Sequence, residues 1–281
     1  MTTATTSGTF TLGGTSTVTR LGYGTMQLTG AGVWGDPESP DEAVRVLRRA
    51  VELGVNLIDT ADSYGPAVAE PLIRKALHPY DSGLVIATKA GLTRQGPDVW
   101  TPVGRPAYLR QQAEMSLRLL GLDRIPLFQL HRIDPEVPVA DQVGELKALQ
   151  DEGKIQHIGL SEVSLDQLRE AQKTASIATV QNHYNVANRD AEELLEVCAA
   201  EGIGFVPWFP LATGQLSEPG GPLDHLCTKL DASPSQVALA WLLARSPVML
   251  PIPGTSSVTH LEENIAAADL HLSEDDLASV R

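Results

Sequence analysis

Four side chains able to move protons or hold charge stand at or just after short apolar runs of the chain. Asp59 ends the run Val55–Asp59 and Tyr64 follows five residues on, Lys89 ends Leu84–Lys89, and His131 follows Ile125–Leu130. Each has an ordinary explanation alone: an Asp before a turn caps it, a loop Tyr packs, a lone His is structural. A lysine at the end of a buried run is harder to dismiss, because an unpaired ammonium out of water is costly, and Asp59 is the obvious partner. Together the four suit one reaction. A phenol with a pKa near ~10 is a poor acid at neutral pH. A neighbouring ammonium is expected to stabilise phenolate and lower that value. Asp59 would keep Lys89 charged and placed, and His131 would donate to a carbonyl or relay its proton. The result is a general acid aimed at a carbonyl oxygen. None of these groups supplies two electrons, so the hydride must come from outside, such as from a nicotinamide cofactor.

Other polar and aromatic residues follow further apolar runs. They are Ser161-Glu162, Gln181-Asn182, Trp208, and Pro253-Gly-Thr-Ser-Ser257 before a helical pattern. Trp208 offers an aromatic face for a nicotinamide ring, and Ser161 and Gln181 can hydrogen-bond its carboxamide. A helix start after Gly254, Thr255 and Ser256 offers N–H groups and hydroxyls to phosphate. A core tryptophan and an ordinary helix cap are the competing explanations.

These residues meet only if the runs are strands of one sheet. Eight are expected: Arg20–Thr25, Val55–Asp59, Leu84–Lys89, Ile125–Leu130, Ile155–Leu160, Ala178–Gln181, Ile203–Trp208 and Val248–Ile252. Most are continuously apolar, as suits parallel strands covered on both faces. Helical stretches separate them, with N-terminal signatures at Ser39-Pro-Asp-Glu42, Ser164–Gln167 and Ser233–Gln236. Further helices are expected over 67–77, 106–120, 139–151, 190–201 and 259–268, with a last one near Ser273. Eight strand–helix rounds close into a (β/α)8 TIM barrel or open into a doubly wound sheet. The open dinucleotide-binding form requires Gly-x-Gly-x-x-Gly after the first strand, whereas Gly22-Tyr-Gly24-Thr-Met-Gln27 lacks the third glycine. The expectation is therefore an α/β protein with one barrel domain over residues 1–281 and its site at the strand C-termini. Gly13-Gly14 predicts a hairpin over 9–19. Residues 1–7 are expected to be a disordered tail, and the long loop 210–222 to be functional.

Composition narrows the class. The 281 residues carry 21 Lys+Arg against 35 Asp+Glu, a formal charge of −14. That balance lacks the basic footprint of a nucleic-acid binder. Cys198 and Cys227 make no disulfide framework, and the seven histidines show no metal-ligand spacing, so no metal is expected. No apolar run reaches the ~18 residues of a membrane span. The first residues lack the basic and apolar regions of a leader, so a cytoplasmic protein with no membrane partner is expected.

Six segments, in order, resemble the aldo-keto reductase family over nearly the whole chain. They are Leu21–Met26, Gly54–Gly65, Thr88-Lys89, His131, Val180–Asn185 and Ile252–Asn264. The resemblance implies a (β/α)8 barrel closed at its bottom by the N-terminal hairpin. It also implies NADPH-dependent carbonyl reduction by Asp59, Tyr64, Lys89 and His131. It assigns cofactor contacts to Gly24, Thr25, Met26, Asp59, Ser161, Glu162, Gln181, Trp208, Phe209, Leu211, Gly254, Thr255, Ser256, His260, Glu263 and Asn264, and a monomer as the family default. Departures bear on the cofactor. Gly254 and His260 stand where many members place a lysine and an arginine on the 2′-phosphate, which leaves NADH open beside NADPH. Glu162 replaces a common Asn, and from there could accept from the carboxamide. The short C-terminus and the segments 181–189, 208–211 and 253–257 are similar to bacterial pyridoxal reductase-like members. That implies a flat aromatic aldehyde, for which Tyr23, Trp34 and Trp100 are candidate walls. A second reading stays open: a cofactor-binding regulatory subunit of this fold without significant turnover.

Overall fold

The computed structural model describes residues 2–211 and 221–280. Its frame is a sheet of seven parallel strands, curled and wrapped by helices. In spatial order these are β3 (Tyr23–Gly24), β4 (Leu57–Asp59), β5 (Val85–Ala90), β8 (Ile125–Leu130), β9 (Ile155–Ser161), β10 (Ile177–His183) and β11 (Gly204–Trp208). The expected eighth strand, Val248–Ile252, is not regular. Its segment bridges the two edges instead: Phe205 N donates to Val248 O and Leu250 N to Phe205 O, each at 2.8 Å, and Gly22 N donates to Pro251 O at 2.9 Å. Single bridges pair Phe205 with Met249 and Gly24 with Gly254. Pro251 and Pro253 carry no N–H, so a continuous ladder cannot form there although the ring closes. The first strand is likewise shorter than expected. Arg20 is drawn away from the sheet, its side chain donating to the carbonyls of Leu243, Ser246 and Met249.

The helices form where their caps dictate. α1 (Pro40–Glu52) opens on Ser39, whose Oγ accepts from Glu42 N, with proline at the first helical position. α5 (Leu165–Gln172) and α8 (Pro234–Arg245) open on complete capping boxes at Ser164 and Ser233. α2 (Ala69–Leu77), α3 (Pro106–Leu120), α4 (Val139–Asp151), α6 (Glu192–Glu201), α9 (Val258–Ala266) and α10 (Glu274–Ser279) fill the remaining expected places. α7 (Asp224–Leu230) was not expected. Of the loop expected over 210–222, residues 212–220 lie outside the described ones.

Hairpin β1 (Thr9–Leu12) and β2 (Ser16–Thr19) closes the barrel bottom. Its Leu12 and Val18 join Leu57, Val85, Leu127, Val206 and Leu250 in one apolar cluster. Glycine is required at position 13: φ is +51°, and a Cβ there would stand 2.3 Å from the His157 ring. The tail expected to be disordered is ordered from residue 2. Ala4–Ser7 form a 3-10 turn, Ala4 N donates to Leu53 O at 2.8 Å, and Ala4 and Ser7 are buried. Small side chains let this turn seat against the barrel, which a polar composition alone did not announce. A second hairpin, β6 (Leu92–Gly96) and β7 (Val99–Pro102), leaves β5 through Gly91 and overhangs the strand C-termini.

Candidate active site

The strand ends bring Asp59, Tyr64, Lys89 and His131 together, all buried. Lys89 reaches the inner end of the cluster from β5. Its Nζ donates to Asp59 Oδ1 at 2.6 Å, to Thr60 O at 2.7 Å and to the Tyr64 hydroxyl at 3.4 Å. An ammonium has three hydrogens and no acceptor, so all three are spent. Because Lys89 only donates, the Tyr64 oxygen is the acceptor, and its own hydrogen stays available for a ligand. Asp59 Oδ2 accepts from Gln181 Nε2 at 2.9 Å and from Gln129 Nε2 at 3.2 Å. Room for Gln129 comes from Gly159, where a Cβ would stand 2.7 Å from Gln129 Cγ. His131 Nδ1 shares a hydrogen bond with Ser63 Oγ at 3.3 Å. The Tyr64, His131 and Trp100 rings meet edge to face at 5.9–6.4 Å.

The electrostatics differ from the expectation at Tyr64. Burial raises its pKa above the usual phenol value, and the opposing pull of Lys89 does not overcome it. In this state Tyr64 is therefore a phenol and a proton donor. Burial works against the Lys89 charge too, yet Asp59 and Tyr64 more than offset it and hold the ammonium above its ordinary range. His131 is driven well below the usual imidazole value by burial, then by the charges of Lys89, Arg132 and Arg94, so it is neutral near pH 7. A neutral imidazole can donate one hydrogen bond without competing for the proton.

Above the cluster opens a cleft of about 720 Å³. Gly24, Met26, Asp59, Tyr64, Trp100, His131, Ser161, Gln181, Trp208, Phe209, Leu211 and Gly254 line it, as the sequence led one to expect. Trp208 stacks on His183 at 4.6 Å. Thr25 is fully buried, and its Oγ1 has no hydrogen-bond partner among the described residues.

Several expected contacts fall elsewhere. Tyr23 is not a wall: it is fully buried, and its hydroxyl donates to Thr255 O at 2.5 Å, tying the first strand to the last segment. Trp34 is 37% exposed outside the cleft, 5.7 Å from the Arg94 guanidinium, which lies 3.5 Å from the Trp100 ring. Glu162, at φ +53°, does not line the cleft; its Oε1 accepts from Trp208 Nε1 at 2.5 Å and His183 N at 2.7 Å. Its Oε1 thus ties the Trp208 ring to the β10 backbone. Thr255, Ser256, His260, Glu263 and Asn264 lie beyond the cleft lining, on the segment leading into α9 and on α9 itself. Thr255 and Asn264 are buried, and Ser256, His260 and Glu263 are exposed.

Three residues of the site escaped the sequence reading. Gln129 carries Asp59. Arg94 donates to the carbonyls of Gly32, Val33, Ser63, Gly96 and Val99, pinning loop and hairpin beside Tyr64. Arg132, the residue after His131, lines the cleft. Arg132 alone carried a signal, its position one past a strand-end histidine.

Comparison with known proteins agrees with this geometry. The model of the aldo/keto reductase family matches residues 20–281. An uncharacterised oxidoreductase of Schizosaccharomyces pombe is 52% identical over 267 residues, covering 95% of this chain and 87% of its own. The pyridoxine 4-dehydrogenase of Escherichia coli is 46% identical over 280 residues, covering 98% and 97%. The structure of an aldo-keto reductase from Klebsiella pneumoniae in complex with NADPH superposes with a TM-score of 0.82 at 26% identity, covering 100% of this chain and 94% of that one.

Proposed function

We propose, from the premise that the chain belongs to the aldo/keto reductase family, that it reduces flat aromatic aldehydes of the pyridoxal type with NADPH as donor. The observation that carries this reading is the Lys89–Tyr64 bond at the foot of the cleft. It leaves a protonated phenol, lining the cleft, whose own hydrogen Lys89 does not use. The cleft residues fit a nicotinamide dinucleotide. Trp208 and Phe209 give aromatic surface, Ser161 and Gln181 give amide-matching groups, and Gly254 leads to the α9 N-terminus, where Ser257 is the cap. When bound there, the cofactor supplies a hydride to the carbonyl carbon.

The protein's own residues do the rest. Neutral His131 donates to the carbonyl oxygen and orients it. Tyr64 gives its proton to that oxygen as negative charge develops. The adjacent Lys89 ammonium stabilises the phenolate left behind, and Asp59 keeps Lys89 in place. Trp100 and Leu92 exclude water beside Tyr64 and offer a flat apolar wall. NADPH is preferred over NADH in this reading because NADPH or NADP is what the Klebsiella pneumoniae relatives hold. We further read the protein as a cytoplasmic monomer, in keeping with the free thiols of Cys198 and Cys227.

The test is cofactor oxidation with pyridoxal and a panel of aldehydes, comparing wild type with Tyr64→Phe. Loss of the general acid should cost at least ~10²-fold in kcat. Full activity of Tyr64→Phe would overturn the assignment. Tight cofactor binding without turnover of any carbonyl would favour a regulatory role.

A further inference from the structure

Arg132 is a cation lining the cleft, one residue past His131, with no hydrogen bond to Tyr64, Lys89 or Asp59. Its Nη1 donates to His131 O at 2.6 Å and to Ser161 Oγ at 3.1 Å. Those two bonds fix the guanidinium plane, because the five donors form a rigid fork. Nε and Nη2, the side-on pair that matches two oxygens, have no acceptor among the described residues. No described carboxylate forms an ion pair with it. Glu162, which attracts it through space, has Oε1 committed to Trp208 and His183. Asp59 is consumed by Lys89. The guanidinium is half-buried, so two donors without protein partners at the cleft wall are open to a ligand. The cleft that Arg132 lines also carries the apolar side chains of Trp100, Leu92, Pro102, Val33 and Phe209. Glu162, close enough to favour the Arg132 charge, and Asp98, exposed at the tip of the β6–β7 hairpin, are the acids that would oppose an anion.

We propose that Arg132 selects carbonyl substrates carrying an anionic oxygen, a carboxylate or an ionised ring hydroxyl, on an aromatic body. Nε and Nη2 bind that group while the carbonyl faces Tyr64 and His131. This rests on the carbonyl-reductase reading and narrows its substrate class. Charge-assisted bonds of this kind give on the order of tenfold to a hundredfold discrimination.

The test compares benzaldehyde with 2-, 3- and 4-carboxybenzaldehyde, and with salicylaldehyde as the ring-hydroxyl arm. Enzymes are the wild type, Arg132→Met and Arg132→Lys. At least one anionic aldehyde should exceed benzaldehyde in kcat/KM with wild type. Arg132→Met should collapse that preference about 10- to 100-fold, mainly through KM, and Arg132→Lys should restore part of it. A preference that stays within about threefold of wild type in Arg132→Met overturns the inference. So does an equal loss on both aldehydes, which would make Arg132 only a support for His131 and Ser161. Benzoate binding, followed by tryptophan quenching without turnover, separates this from failure of the catalytic reading. If no aldehyde reacts but benzoate binds at least about tenfold more weakly to Arg132→Met, the catalytic reading fails and the anion site stands. Benzoate binding changed by less than about threefold removes the site whatever the turnover.

Discussion

Replacing Lys89 by Met tests the electrostatic core of the site. The substitution keeps the length of an apolar stem but removes the ammonium that Asp59 Oδ1 holds at 2.6 Å in a fully buried position. Asp59 would retain only Gln181 and Gln129, both on Oδ2, and Thr60 O would lose its donor. Removing one partner of a buried pair costs about 3–5 kcal/mol, chiefly because the other charge is stranded. The lost bond to Thr60 adds about 1 kcal/mol. Against a total stability of about 5–15 kcal/mol, the variant should fold but be plainly weakened. Asp59→Asn combined with Lys89→Met removes the stranded charge. The pair should therefore be non-additive, the double variant recovering about 2 kcal/mol or more relative to the sum of the singles. Urea unfolding of the four proteins at pH 7.5, with slopes held to a common value, measures this directly. A cost below about 1 kcal/mol for Lys89→Met, or strict additivity, would refute the view that Lys89 and Asp59 stabilise one another as a buried ion pair.

Two further expectations concern neighbouring groups. Asp62 is buried beside Glu70; burial first, then that acid, raises its pKa well above the usual carboxylate value. A carboxyl whose folded pKa is raised contributes stability that is full below about 3.9 and lost as pH rises through the folded value. Asp62→Asn should therefore raise Tm by a few degrees near pH 8 and progressively less toward pH 4; a gain that is constant with pH would show that ionisation is not the cause. His260 is exposed in the first turn of α9. His260→Arg should tighten NADPH over NADH by on the order of tenfold in a fluorescence titration, and equal effects on both would place it away from the 2′-phosphate.

Much of the site was legible because strand ends can be read from apolar runs. Asp59, Lys89 and His131 each close or follow a run buried on both faces, so locating the run located the chemistry. What escaped depends on side-chain direction and on partners far along the chain. Tyr23 precedes Gly24 at the mouth, yet it alternates toward the helix-covered side of the sheet and its hydroxyl finds Thr255 O, 232 residues away. Trp34 carries the aromatic surface a wall needs, but Arg94 claims it from the second hairpin. That hairpin was invisible because its run Thr93-Arg-Gln-Gly-Pro-Asp98 is polar on both faces, with no buried stripe to reveal a period. The irregular last segment was misread because its apolar residues are those of a strand while its two prolines forbid the ladder.

The most consequential change lies in where positive charge is free. With 35 acids against 21 Lys and Arg, an anionic ligand is opposed at long range, so local groups must carry its binding. Lys89 is not one of them, because its three hydrogens are already given to Asp59, Thr60 and Tyr64. It can stabilise a phenolate in place and has no hydrogen left to attract a phosphate. Glu162, beside the cleft, accepts from Trp208 and His183 through Oε1 and so holds an aromatic face without lining the cavity, while its charge still acts on Arg132. The site thus keeps its paired charges for proton transfer. Among the described residues, positive groups left for a ligand include the unspent fork of Arg132 and the N-terminus of α9. The first lines the cleft one residue past His131; the second lies beyond the cleft lining, on the segment that continues past Gly254. The two are separate sources of positive potential for anionic groups.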